Sequence, residues 1–287
     1  MKKTLVDLAF AALVCLVFCA AAVIFPSSGD APNYTIPVAA IFGFLISFMI
    51  SNAQTRVNNV DGLLKTHNGY VLLVYRLSKL YGAETQDKTR TLLDEYIVAT
   101  IDYKLEDFNM TDRMFQKVYN FVLELGSTDD GSSLYGGMLD AINNISLTRT
   151  QIETQVREKI TISQWSALFA LTAITIWTFY EMSGNELMGI IATTISTAAL
   201  MLLIIVLKNS DDLKWNNYQW TWRPLRELFL QMNLLPYFSD DNIRSGEIKL
   251  LPNEVFRKAT YPNRYPNMDG KVVDVVDDKP SGAREKT

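Results

Sequence analysis

The chain has 287 residues, 31 acidic against 27 basic side chains, a net charge of -4, and a mean hydropathy of +0.06 that averages very apolar stretches against very polar ones. That acidic balance, without a basic stripe, excludes a nucleic-acid-binding surface. One histidine and two cysteines leave neither a zinc site of Cys and His ligands nor a histidine-based triad within one chain, so no metal, cofactor or catalytic residue is expected.

Four apolar stretches are each long enough, or nearly so, to cross a bilayer: Thr4 to Ile24, Pro37 to Ala53, Ile162 to Tyr180 and Leu187 to Leu207. Cys15 and Cys19 lie one helical turn apart in the first and read as small packing residues. Lys2, Lys3 and the Ala20–Ala22 triplet also fit a cleavable signal peptide, although apolar residues run on through Phe25. The stretches form two hairpins. The link before Pro37 carries only Asp30, and the link between the last two carries only Glu181 and Glu186. All basic residues near span ends lie on the other side, among them Lys3, Arg56, Arg157 and Lys208, which predicts cytoplasmic termini and an inner-membrane protein.

Pro37 suits the first turn of its helix, Gly184 a left-handed stop and Asn185 a cap. Between the hairpins, Val57 to Leu80 continues the second span as a helix that Gly82 ends. Further helices are expected at about 87–105 and 111–125, and a fourth carrying Leu139 to Val156, interrupted by Arg149, feeds directly into the third span. After Leu207, Trp215, Tyr218, Trp220 and Trp222 precede an amphipathic stripe of Leu225, Leu228, Phe229 and Met232. That stripe suits either the membrane interface or docking on the helices. Short extended pieces are expected at Glu247–Leu251 and Lys271–Val276, followed by a disordered end. The expected fold is an all-α membrane protein, four transmembrane helices in two hairpins flanking a cytoplasmic helical bundle, with a short extended C-terminal tail. Its parts are 1–53, 54–161, 162–207 and 208–287.

Paired carboxylates at Asp94–Glu95, Asp129–Asp130 and Asp240–Asp241 read as solvated faces without complementary groups, and enzyme activity is not expected. No ionisable residue lies near the middle of any span, which argues against proton relays and voltage sensing. Small and hydroxyl residues recur at four-residue spacing, notably Gly43 with Ser47 and Gly189 with Thr193. They suit helix packing. A functional reading has one such row, with Thr172 and Thr175, lining an oligomeric pore constricted at Phe44 and Phe48. Membrane lipid, further copies of the chain and a cytoplasmic protein are the expected partners. A membrane-anchored scaffold or signalling adaptor without transport is the alternative.

The two hairpins around a helical segment, the stretch Tyr70 to Gly82 (YVLLVYRLSKLYG), Tyr96, and Arg149 to Trp165 entering the third span resemble the bestrophin-like domain proteins of bacteria over roughly residues 40–210. Where many members carry an acidic residue before the tyrosine-rich helix, this chain has Asn68 and Gly69. Bestrophins are pentameric anion channels with the same order of spans, so the resemblance implies an oligomeric channel. The outer mouth formed by Asp30, Glu181 and Glu186 would instead be negative and favour cations.

Overall fold

A computed structural model describes residues 35–126, 133–184, 187–213 and 222–277. The first apolar stretch, Asp30, Asp129, Asp130, Asn185, Glu186 and the aromatic residues from Trp215 to Trp220 lie outside these residues. In chain order the helices are α1 (Thr35–Ser78), α2 (Ala83–Asp102), α3 (Asp112–Gly126), α4 (Ser133–Arg157), α5 (Ile162–Met182), α6 (Leu187–Asp211), α7 (Arg223–Gln231) and α8 (Asp240–Arg244). Strands β1 (Tyr237–Ser239), β2 (Val255–Thr260) and β3 (Val272–Asp277), with short 3-10 helices at Lys79–Tyr81 and Leu105–Thr111, complete the elements of the described residues. No proline falls between Pro37 and Pro224, so nothing of that kind breaks the helices, while Pro236, Pro252, Pro262 and Pro266 crowd into the segment that forms the sheet.

The described residues group into two compact units, 35–57 with 158–213 and 58–157 with 222–277. In the first, Phe42, Ile46, Met49 and Ala53 of α1 pack with Leu168 and Ile176 of α5 and Leu200, Ile204 and Leu207 of α6. Among the described residues three stretches are long and apolar enough to cross a bilayer, within Pro37–Tyr81, Ser133–Met182 and Leu187–Asp211. Helix α1 has 44 residues. At about 1.5 Å per residue it is twice as long as the roughly 30 Å hydrocarbon layer, so only its apolar part, Pro37 to Ala53, suits the bilayer. It ends as expected near Gly82, whose φ of 108° few other residues adopt.

Helix α4 does not run directly into α5, contrary to expectation. It stops at Arg157, and α5 begins afresh after Thr161, whose extended backbone and capping box with Gln164 start a new helix. In the second unit Val71, Val74, Leu93, Tyr96, Phe115, Val118, Met138 and Ile142 share one core with Leu228, Phe229, Met232, Tyr237 and Ala259. The amphipathic stripe therefore docks on the helices and not on a membrane surface. The tail is likewise more than extended pieces: β1 pairs parallel with β2, and β2 antiparallel with β3. Glu247–Leu251 is no strand, because the amides of Glu247 and Ile248 turn back onto the Asn242 carbonyl and Ile248 plugs a cluster with Trp222, Phe238 and Phe256.

Candidate functional site

The apolar part of α1 presents two faces. One is buried through Phe42, Ile46, Met49 and Ala53; the other leaves Phe44 79% and Phe48 61% exposed, one turn apart, with Ser47, Ser51 and Thr55 exposed beside them. By contrast, every exposed residue of α6 from Leu187 to Leu203 is apolar, as a helix facing lipid requires. Thr172 and Thr175 are not on the phenylalanine surface. Both are buried, and their hydroxyls donate to the carbonyls of Leu168 and Leu171 one turn back in α5.

The small residues divide in the same way. Thr193 donates to the Phe179 carbonyl at 3.0 Å, tying α6 to α5, and a Cβ at Gly189 would run into the backbone of Ser183. Gly43 has open space around its missing side chain, and Ser47 is exposed, so neither is packed by the described residues of the protomer. Of the three expected outer-mouth carboxylates only Glu181 is described, half-buried near the end of α5.

The first unit also holds a buried ion pair that sequence reasoning missed. Arg56, read only as an orienting charge, lies one turn beyond Ala53 and donates to the Asp211 carboxylate at 3.0 Å, with both side chains under a tenth exposed. Its guanidinium also donates to the carbonyls of Glu158 and Asp211, while the same Asp211 oxygen accepts the Ile160 amide at 3.0 Å. One charge pair thus joins α1, the link that leads into α5 and the end of α6. Its ends are 155 residues apart in sequence, beyond the reach of any local signal.

In the second unit Arg149, the apparent interruption of α4, is the centre of a network. It donates to the hydroxyls of Tyr96 and Thr111, each at 2.8 Å, and to the Asp112 carboxylate, and lies 4.7 to 5.3 Å from the rings of Phe115, Phe108 and Tyr96. Because the Tyr96 oxygen accepts from Arg149, its proton is free to go to Nε2 of His67 at 2.6 Å, which leaves the His67 proton on Nδ1, facing Asn68. Burial, with the Arg149 charge adding to it and the Asn68 contact opposing it, lowers the His67 pKa to about 4. Burial likewise raises Tyr96 to about 12 against the pull of Arg149. A charged residue on the apolar face of a helix was the signal for this core network.

The carboxylate pairs are not without partners. Asp94 receives two bonds from Arg257 at 2.6 and 2.7 Å, Glu95 one from Lys117, and Asp240 faces Arg244 and Lys258. Asp102 accepts from the hydroxyls of Tyr237 and Tyr261 and from Lys271, all at 2.6 Å. These bonds fasten the sheet to α2. Among the described residues no cluster of three or more His, Cys, Asp or Glu side chains could hold a metal ion.

The fold is similar to that in the crystal structure of a membrane protein, with 11% identity and a TM-score of 0.58 over 81% of this chain and 96% of that one. No curated protein matches the chain. A family model described as the bestrophin-like domain matches residues 8–213, which include the exposed phenylalanine face, Arg56 and Arg149. The protein is therefore a membrane protein that belongs to the bestrophin-like domain family.

Proposed function

We propose that the protein is an oligomeric ion channel of the inner membrane, with four spans, both termini and the helical unit in the cytoplasm, and α1 lining the pore. The observation that supports this reading is the contrast between two outer faces. From Leu187 to Leu203 the exposed residues of α6 are all apolar, whereas α1 mixes exposed Phe44 and Phe48 with exposed Ser47 and Ser51. Hydroxyls on an outward face are poorly served by lipid and well served by water or by another copy of the chain. Several copies of α1 around one axis would form hydroxyl-lined walls closed by a ring of phenyl groups, a constriction that gates by excluding water. With Asp30, Glu181 and Glu186 at the outer mouth, such a pore favours cations.

Purified protein in liposomes should pass small cations, and Phe48→Ser should pass more because a small polar side chain wets the constriction. Neutralising Glu181 and Glu186 together should reduce cation preference. A folded, oligomeric Phe48→Ser protein with no more flux than empty liposomes would end the channel reading and leave a membrane-anchored scaffold. In cells, a cysteine replacing Asp30 should react with an impermeant thiol reagent in a background lacking Cys15 and Cys19. One replacing Gly131 should not.

A further inference from the structure

The sheet lies beyond the residues that the family model matches, yet it is built firmly into the second unit. Arg257 grips Asp94, and Tyr237, Tyr261 and Lys271 converge on Asp102. What the sheet offers is an edge. Its order is β1-β2-β3, and β1 is buried along all three of its residues, so the exposed edge is β3. This strand is bound to β2 over six residues, and no strand pairs with its other side among the described residues. Val272, Val273 and Val275 are exposed, Val275 by 64%, although valine is a residue that strands usually bury.

A six-residue, valine-rich edge that no described strand covers is a template for another strand. The charges on the strand, Asp274 and Asp277, are both acidic, and the exposed Asp274 selects what can pair. Two copies of β3 set edge to edge bring four aspartates together, which is unfavourable, whereas a strand carrying lysine or arginine turns the same charges into attraction. The pleat sorts the two requirements. Val273 and Val275 share one face, with Asp277 at its end, while Asp274 stands on the other with Val276, which packs towards Trp222, Phe238 and Phe256.

We propose that β3 is a docking edge for an extended segment of a protein partner in which apolar residues alternate with lysine or arginine, added to the sheet as a fourth strand. The partner's apolar side chains lie beside Val273 and Val275 and its basic ones beside Asp274, with main-chain hydrogen bonds holding the strand. Anchored through Arg257 and Asp102, the sheet is a rigid platform for that segment. The site is independent of conduction, so it stands or falls separately from the pore.

Binding of a fluorescent hexapeptide of alternating valine and lysine to the detergent-solubilised full chain, read by anisotropy, tests this. Saturable binding is expected, and at least about tenfold weaker binding of the valine–glutamate peptide and of a valine–lysine peptide N-methylated at alternate residues, which cannot complete the ladder. The variant Asp274→Lys changes one exposed side chain. It should lose the lysine peptide and gain the glutamate peptide. Equal binding of the N-methylated peptide would reduce the effect to attraction by an acidic protein and overturn the proposal, as would no binding at all. Disulfide capture between copies through Val275→Cys, at protein concentrations where the peptide does not bind, would give the edge to a second copy and also overturn it.

Discussion

Arg56 and Arg149 are buried to the same degree in different units, and their surroundings show two ways of keeping a guanidinium out of water. Arg56 faces a carboxylate as buried as itself, Asp211, and two backbone carbonyls. Arg149 is wrapped by three aromatic rings and two hydroxyls, and its carboxylate partner, Asp112, is 66% exposed. In the first case the charge is balanced by one desolvated partner, so each side chain depends on the other. In the second it is spread over ring faces and hydroxyl dipoles, and no single neighbour is indispensable. The first arrangement is a brittle staple between three segments; the second is a polar knot within a packed core.

The largest effect should come from breaking the staple. Asp211→Ala leaves Arg56 buried and uncompensated, which costs about 3–5 kcal/mol, whereas Arg56→Met with Asp211→Leu should recover most of that loss because an apolar pair needs no desolvation. Thermal unfolding in detergent reads both. A single variant as stable as the double would mean that Arg56 reaches solvent when freed, and the contrast with Arg149 would disappear. Next, Arg149→Met removes the centre of the knot and leaves the hydroxyls of Tyr96 and Thr111 without their donor, at about 3 kcal/mol. Arg149→Lys should restore little, since an ammonium cannot reach both hydroxyls and Asp112 from one plane.

The knot should also respond to acid through His67. Its pKa of about 4 in the folded chain lies below the ordinary 6.5, so the unfolded chain takes up the proton first. Stability from this group is full above pH 6.5, declines as pH falls towards 4 by about 3 kcal/mol, and then levels off. Unfolding midpoints followed from pH 7 to pH 4 should drop more steeply in the wild type than in His67→Gln. Parallel curves would place His67 in contact with water.

What could be read from sequence, and what could not, follows the distance between partners. The apolar stretches, the length of α1 and its end at Gly82 are local patterns, carried by neighbouring residues. The Arg56–Asp211 pair, the Asp94–Arg257 clamp and the Asp102 cluster join residues more than a hundred positions apart, and a lone charge gives no hint of its partner. Strand β1 escaped because three residues carry no alternation to read. Thr172 and Thr175 look the same in sequence as the exposed Ser47 and Ser51, since a hydroxyl bonded back into its own helix can be buried at little cost.

The smallest predicted effect is the most discriminating. Among the described residues Asp112 is the only carboxylate bonded to Arg149, and if buried arginines all behaved as Arg56 does, Asp112→Asn would be as damaging as Asp211→Ala. Most of its side chain is in water, however, so its attraction to Arg149 is screened and its release costs no buried charge. Asp112→Asn should therefore change stability by less than about 1 kcal/mol. It should also leave the acid decline of His67 in place, because Tyr96 and Thr111 continue to hold the guanidinium. A loss comparable to that of Arg149→Met would show that the rings and hydroxyls do not suffice and that both arginines depend on their carboxylates alike.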